Sequence, residues 1–282
     1  MKKNLINKIV HSAIYLLAFI GLVFVSVFFA MQYGLLNVRG SSIDRNASLG
    51  VLPKTTNSTN CLSETGSTTA VCDWNKTAEW SVVNEGVSKD LTMLQEVSQK
   101  TNVSDRMIAA AIIPEQLRFF TSNRESFKKY FEPLKILSSL TKFSLGVAGI
   151  KTETATRIEQ YASDPTSPFY PGPGYAELLV YAPGTNHDTE LYNRLTDSHN
   201  HYYSYLYTAI YLKEIESQWH AAGFDVSDRP DVLVTLFNLG FDASHPNDSP
   251  KIAGSSITLG GKTYLFGELG TLFYQSKELQ SL

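Results

Sequence analysis

The chain has 282 residues, 43% hydrophobic and 18% charged, which is enough for one sizeable globular domain with an appendage and excludes a disordered or fibrous protein. Its 24 lysines and arginines stand against 27 acids. Lys2, Lys3, Lys8 and Arg39 are the only charged residues of the first forty, so the remainder holds 20 basic against 27 acidic residues, a charge of −7. That acidic excess excludes a nucleic-acid partner, which would require a basic face to replace counterions.

From Ser12 to Met31 no side chain is charged, and a helix of about 20 residues spans roughly 30 Å, the thickness of a bilayer core. The lysines before it keep the N-terminus cytoplasmic and send the rest across. The run exceeds the apolar region of a signal peptide, and Phe28-Phe29-Ala30-Met31 lacks a small-residue cleavage pattern. Residues 1–33 are therefore expected to be an uncleaved single-pass anchor in the cytoplasmic membrane, with the remainder on the extracytoplasmic side. Residues 34–79 read as a polar stalk rich in Ser, Thr and Asn. Cys61 and Cys72 are the only two cysteines, and in an oxidising compartment one disulfide is their simplest fate. Asn46 and Asn57 head Asn-x-Ser/Thr triplets, which matter only in a glycosylating host.

Residues 80–282 are expected to form one mainly helical domain. Val83, Val87, Leu91, Leu94 and Val97 make a single apolar stripe. After a turn at Thr101-Asn102, Ser104 can cap a helix carrying Met107, Ile108, Ala111 and Ile112. Pro114 is expected to bend or end that helix, leaving Glu115 at a helix end. Five prolines between Ser163 and Pro183 indicate an ordered surface loop. A long helix then carries Tyr205, Thr208, Leu212, Ile215, Trp219 and Ala222 and stops at Gly223. Ser227 or Asp228 can cap the next, with Pro230 in its first turn and Gly240 at its end. Ile257 to Leu259, Gly260-Gly261 and Thr263 to Leu265 predict a hairpin with a two-residue turn. A short helix with Leu269, Leu272 and Phe273 closes the chain.

Four segments, in chain order, resemble one known family. Arg106 to Arg118, RMIAAAIIPEQLR, is similar to the apolar helix plus glutamate that opens the catalytic core of lytic transglycosylases and goose-type lysozymes. Gly146 to Ala155, GVAGIKTETA, resembles the family's G-L-M-Q-I-x-P-x-T-A segment, matching at Gly146, Ile150, Thr154 and Ala155 and conservatively at Val147. Tyr211-Leu212 resembles its tyrosine-leucine pair, and Phe237-Asn238-Leu239-Gly240 its Y-N-A-G.

The resemblance implies a lysozyme-like fold that cleaves the β-1,4 bond between N-acetylmuramic acid and N-acetylglucosamine in the glycan strands of peptidoglycan. Glu115 would be the single acid/base, protonating the glycosidic oxygen and then taking the proton of the muramic C6 hydroxyl as that oxygen attacks C1. The product is a 1,6-anhydro sugar, made without water. Gly146, Val147, Gly149, Ile150, Tyr211, Phe237 and Asn238 would line the substrate, and no cofactor or metal is implied. A carboxyl that donates a proton near neutral pH keeps it by burial among apolar side chains, and Ile112, Ile113, Leu117, Phe119 and Phe120 are near Glu115 in sequence. Glu115 is expected at the floor of a groove, facing Gly146 to Ile150 and within reach of Asn238.

The chain also departs from the family pattern. Gln116 stands for its serine, Gly149 for its glutamine, Thr152 for its proline and Phe237 for its tyrosine. Glu125-Ser126 copies the usual Glu-Ser pair, but it follows a polar stretch, so Glu115 is preferred. A lysozyme-type hydrolase would need a second carboxylate about 5 to 9.5 Å away; Glu125, Glu132, Glu153 and Asp164 are available by type. A third reading is a non-catalytic lysozyme-fold module that binds glycan or scaffolds an envelope complex. Asn238 reads as a residue that bridges backbone near Gly240. His199 and His201, two apart, can share a metal on a strand but point apart on a helix, and with no further His/Cys cluster they indicate no metal site.

Overall fold

The computed structural model describes residues 71–119 and 146–282, with scattered positions between 11 and 26. Met1–Val38 and Arg39–Leu282 form separate units. In the first unit the described positions are helical and exposed, with Tyr15, Leu17, Phe19 and Leu22 each more than 60% open. Among the described residues no helix is long and apolar enough to cross a membrane; most of the expected span from Ser12 to Met31 lies outside them. Asn46, Asn57, Cys61, Phe120, Glu125 and Glu132 lie outside them as well. Cys72 is not a free thiol.

The second unit is mainly helical with a small antiparallel hairpin near the C-terminus, as the sequence predicts. Its helices are α1 (Ala78–Lys89), α2 (Leu91–Thr101), α3 (Asp105–Phe119), α4 (Thr152–Ser163), α5 (His187–Thr196), α6 (Tyr202–Ala221), α7 (Pro230–Leu239) and α8 (Phe266–Gln275). Strands β1 (Ser256–Leu259) and β2 (Lys262–Leu265) pair with Leu259 opposite Lys262. Gly260 and Gly261 have φ of +53° and +76°, the two positive values that a tight two-residue hairpin turn needs.

The stripe from Val83 to Val97 is divided between α1 and α2 at Asp90. Asp90 is buried and accepts hydrogen bonds from His201 and Tyr205 on Oδ2. The packed body also begins earlier than residue 80. Trp74 is buried edge-on against Trp80, with centroids 4.8 Å apart, and against Phe273. The Cys72 amide donates to the Gly260 carbonyl at 2.9 Å.

Ser104 Oγ accepts from the Met107 amide at 3.2 Å, so α3 starts where the sequence predicts. Its end differs: α3 runs through Pro114 to Phe119, and Glu115 stands inside the helix. A proline removes the donor that would serve the carbonyl four residues back, here Ala110. The Ala110 carbonyl faces α8 at Gly270, where an added Cβ would come within 2.6 Å of it. Helix α8 packs closely on this stretch of α3.

Helix α6 is the central element. Every residue from Ser204 to Leu212 is buried, as expected of a helix that is largely apolar all round. Helices α2, α4, α5, α7 and α3 pack about it, and α8 packs on α7 and α3. Pro230 opens α7 and Gly240, at φ +100°, ends it, but neither Ser227 nor Asp228 caps it. The preceding residue is Arg229, which pairs with Asp231 at 2.7 Å. The helical character of α4 and α5 is additional to the sequence reading. Both are rich in polar residues, bury only a few side chains each, and α5 is started by Asn186 accepting from the Thr189 amide.

Candidate functional site

Glu115 is 3% exposed, on the penultimate turn of α3 among the buried Ile112, Ile113 and Leu117. Its carboxylate is held by the Arg118 guanidinium, with Nε donating to Oε2 at 3.0 Å and Nη2 to Oε1 at 2.5 Å. The 146–150 segment packs directly on it. Gly149 has φ +65°, and a Cβ there would lie 2.2 Å from Glu115 Oε1 and 2.5 Å from its Cδ and Cγ. Gln116 Nε2 donates to the Val147 carbonyl from the next position of α3. Gly146 seats the turn, since a Cβ there would meet the Leu195 carbonyl at 1.7 Å. Val147, Ala148 and Ile150 are buried. The acid and the glycine segment that the sequence singled out thus meet, and Gln116 and Gly149 form the contact.

Tyr211 on α6 and Phe237 on α7 are also brought together, with ring centroids 5.5 Å apart. Both are buried, so they form core behind a surface and do not themselves line an open groove. Burial pushes the Tyr211 hydroxyl above its ordinary pKa. Asn238 bridges backbone, as its reading beside Gly240 expects, and does not reach Glu115. Its Oδ1 accepts from the Ser255 amide at 2.8 Å and from Ser255 Oγ at 3.3 Å, tying the end of α7 to the segment leading into β1. Among the described residues no hydrogen bond links it to Glu115. Its bridging role follows from the need to satisfy the Ser255 amide beside Gly254, where a Cβ would lie 2.8 Å from Asn238 Oδ1.

No protein-family model, curated protein or solved structure matches the chain.

The candidates for a second carboxylate divide in the same way. Glu153 and Asp164 are exposed, and Asp164 accepts from the Thr166 amide and hydroxyl. Among the described residues no three His, Cys, Asp or Glu side chains converge on a metal position. His201 instead pairs with Asp90 at 2.6 Å.

Three polar features have no counterpart in the sequence reading. Arg118 is the first: it closes the segment that resembles the family, yet only the helix places it one turn beyond Glu115. The second is Arg106, at the other end of α3. It donates to the carbonyls of Phe273, Tyr274, Ser276, Glu278 and Leu279 at 2.6 to 3.4 Å and lies over the Phe273 ring. This guanidinium takes up carbonyls that α8 leaves free at its C-terminal end. The third is Glu159 on α4, which accepts from Tyr181 and Tyr207 on Oε1 and faces His187 Nε2 at 2.6 Å on Oε2. Hydrogen bonds to Glu159 and Asp188 raise the His187 pKa. Beside this cluster Arg194 is stacked between Tyr181 and Tyr203 and donates to the carbonyls of Leu179 and Val180. Together these contacts fasten the proline-rich loop to α4, α5 and α6.

Proposed function

We propose that this protein is a membrane-anchored, extracytoplasmic lytic transglycosylase of peptidoglycan, with a lysozyme-like helical domain and Glu115 as its acid/base. The observation that carries the reading is the contact of a buried carboxylate with the Gly146 to Ile150 turn, at Gly149. Two segments chosen for their resemblance to that family meet at the atom that would do the chemistry.

In this reading Glu115 enters the step protonated, out of its ion pair with Arg118, and passes that proton to the oxygen between N-acetylmuramic acid and N-acetylglucosamine as the C1–O bond breaks. The C6 hydroxyl oxygen of the muramic residue then bonds to C1 and its proton returns to Glu115, closing the 1,6-anhydro ring with no net change in the enzyme. General acid-base help of this kind is worth about 10² to 10⁴ in rate, and the positioned hydroxyl supplies the nucleophile without a bimolecular step. Burial beside Ile112, Ile113 and Leu117 excludes water from the carboxyl, which favours anhydro closure over hydrolysis.

The anchor is supported by the 20 uncharged residues from Ser12 to Met31 and by the open apolar side chains of Tyr15, Leu17, Phe19 and Leu22 on helical positions. It would hold the domain on the side of the membrane where peptidoglycan lies. A Cys61–Cys72 disulfide belongs to the same compartment.

A second reading, a glycan-binding or envelope-scaffold module without catalysis, is favoured by the guanidinium fork that occupies both oxygens of Glu115. The two separate in one experiment. The full-length chain in detergent is incubated with purified peptidoglycan and the released fragments are weighed. Anhydro-ended fragments, lost in Glu115→Gln, support the transglycosylase. Reducing ends indicate a hydrolase, and binding without release indicates the scaffold.

A further inference from the structure

We infer that Gln116 is a positioning residue that sets the outcome of the proposed reaction: by seating the Gly146 to Ile150 turn on Glu115, it keeps water from the sugar carbon and leaves the C6 hydroxyl as the nucleophile. The inference rests on Glu115 being the acid/base.

Glu115 and Gln116 are neighbours on α3, about 100° apart around the helix axis, and both engage the same turn. Gln116 is 1% exposed, and its Nε2 donates to the Val147 carbonyl. Two residues further on, the Glu115 carboxyl fills the place of the Gly149 side chain. The Gly149 amide donates back to the Gly146 carbonyl at 3.3 Å, so a tether at Val147 also fixes Gly149. The far side of the turn is backed by the Leu195 carbonyl, which touches Gly146 and accepts from Ser204 Oγ at 3.2 Å. Among the described residues no other side chain hydrogen-bonds the turn. The Glu115 side chain keeps 4% of its surface open, and Gly149 is half-buried. The turn therefore narrows the approach to the carboxyl without sealing it.

When the C1–O bond breaks, C1 of the muramic residue takes an oxygen from one of two nucleophiles. Its own C6 hydroxyl closes the anhydro ring; water gives a reducing end. In both routes the new bond joins that oxygen to C1 and the proton released goes to Glu115, which restores the acid form it had at the start. The hydroxyl is already part of the bound sugar, whereas water has to fit between the carboxyl and C1. Gly149, seated on the carboxyl, denies it that room. Without Gln116 the buried Val147 carbonyl loses its donor, and water is the partner that replaces it. The turn lifts from α3 and water stands beside Glu115.

The ratio of reducing to anhydro ends released from purified peptidoglycan by the full-length protein in detergent tests this. A folding defect lowers both products alike and leaves their ratio unchanged. Gln116→Ala is expected to raise the ratio at least about fivefold over wild type, a barrier difference that the loss of one hydrogen bond supplies. Gln116→Glu, of the same size, sets a carboxylate against the Val147 carbonyl at pH 7 and is expected to raise the ratio as well. As pH falls toward about 4.3 the introduced carboxyl gains a proton to donate, and its ratio returns toward that of wild type at the same pH. An unchanged ratio in Gln116→Ala overturns the inference. Reducing ends alone from the wild type overturn both the transglycosylase reading and the inference. No cleavage at all overturns the catalytic reading only, and the seating of the turn is then measured without catalysis. Denaturant unfolding gives the coupling between Gly149→Ala and Glu115→Ala, with Gln116 present and in a Gln116→Ala background. A coupling that falls by half or more without Gln116 upholds it as the residue that seats the turn, and an equal coupling rejects it.

Discussion

Glu115 and Gly149 occupy one space: the carboxylate of the first stands where the side chain of the second would be, 2.2 Å from the position of the absent Cβ. The glycine at residue 149 is therefore matched to Glu115. With φ at +65° and the carboxylate beneath, glycine serves both the backbone and the close approach. Alanine here would meet two separate penalties, one from the left-handed backbone and one from collision.

A double-mutant cycle separates those penalties. Gly149→Ala is expected to destabilise the protein by about 2 to 4 kcal/mol when Glu115 is present, and by about 1 to 2 kcal/mol in a Glu115→Ala background, where only backbone strain remains. Denaturant unfolding of the four proteins measures the coupling. Additive effects would show that the two side chains do not compete for space.

Arg106 joins the start of α3 to the end of α8 through five carbonyl acceptors. Hydrogen bonds to a charged donor contribute about 1.5 to 3 kcal/mol each and are not additive. Arg106→Ala is expected to cost about 2 to 4 kcal/mol, and Arg106→Lys most of that, because an ammonium cannot reach several diverging carbonyls at once. Thermal melting gives the loss of stability, and hydrogen exchange at Phe273 to Leu279 shows whether it is local to the end of α8.

Both carboxyl oxygens of Glu214 are buried on α6 with no hydrogen-bond partner among the described residues, and burial holds its pKa well above the usual 4.5. The folded state therefore keeps a proton that the unfolded chain gives up. Stability from this group is full below pH 4.5 and is lost as pH rises from there toward the raised folded value. Glu214→Met removes the dependence. The variant is expected to gain about 1 to 3 kcal/mol over wild type at pH 7.5 and less at pH 4, as read from urea unfolding at the two pH values. A gain independent of pH would refute the assignment.

His187 works with the same sign at a more open position. Its pKa is raised by Glu159 and then Asp188, so its contribution is complete below 6.5 and is lost as pH climbs through the raised value. Amides of the proline-rich loop, from Ser163 to Asn186, are expected to exchange faster on that rise, beyond the ordinary base-catalysed increase. His187→Gln should remove the extra step. NMR titration of the His187 ring locates it directly.

The order and nature of most elements were legible in the sequence because they depend on local physics. Apolar steps of three and four residues define a buried stripe wherever the helix ends up, Ser104 starts α3 through its own neighbour Met107, and two glycines set the hairpin turn. Glu115 and Gly146 to Ile150 were legible by resemblance. Periodicity says which side of a helix is buried, but not what it is buried against. That α3 continues past Pro114 to Phe119 was not legible in it, nor was the close approach of Gly270 to the Ala110 carbonyl, far along the chain. Asn238 likewise serves Ser255, 17 residues on.

The sequence by itself determined a mainly helical chain with an uncharged N-terminal run, an acidic remainder and a hairpin near its end. Only the tertiary structure decided that Glu115 rests on Gly149 under an arginine fork, that Gln116 reaches Val147 31 residues away, and that Arg106 closes α8 from a distance of up to 173 residues. Polar contacts between distant segments leave no periodic trace in a sequence; they depend on directions that exist only once the helices have packed.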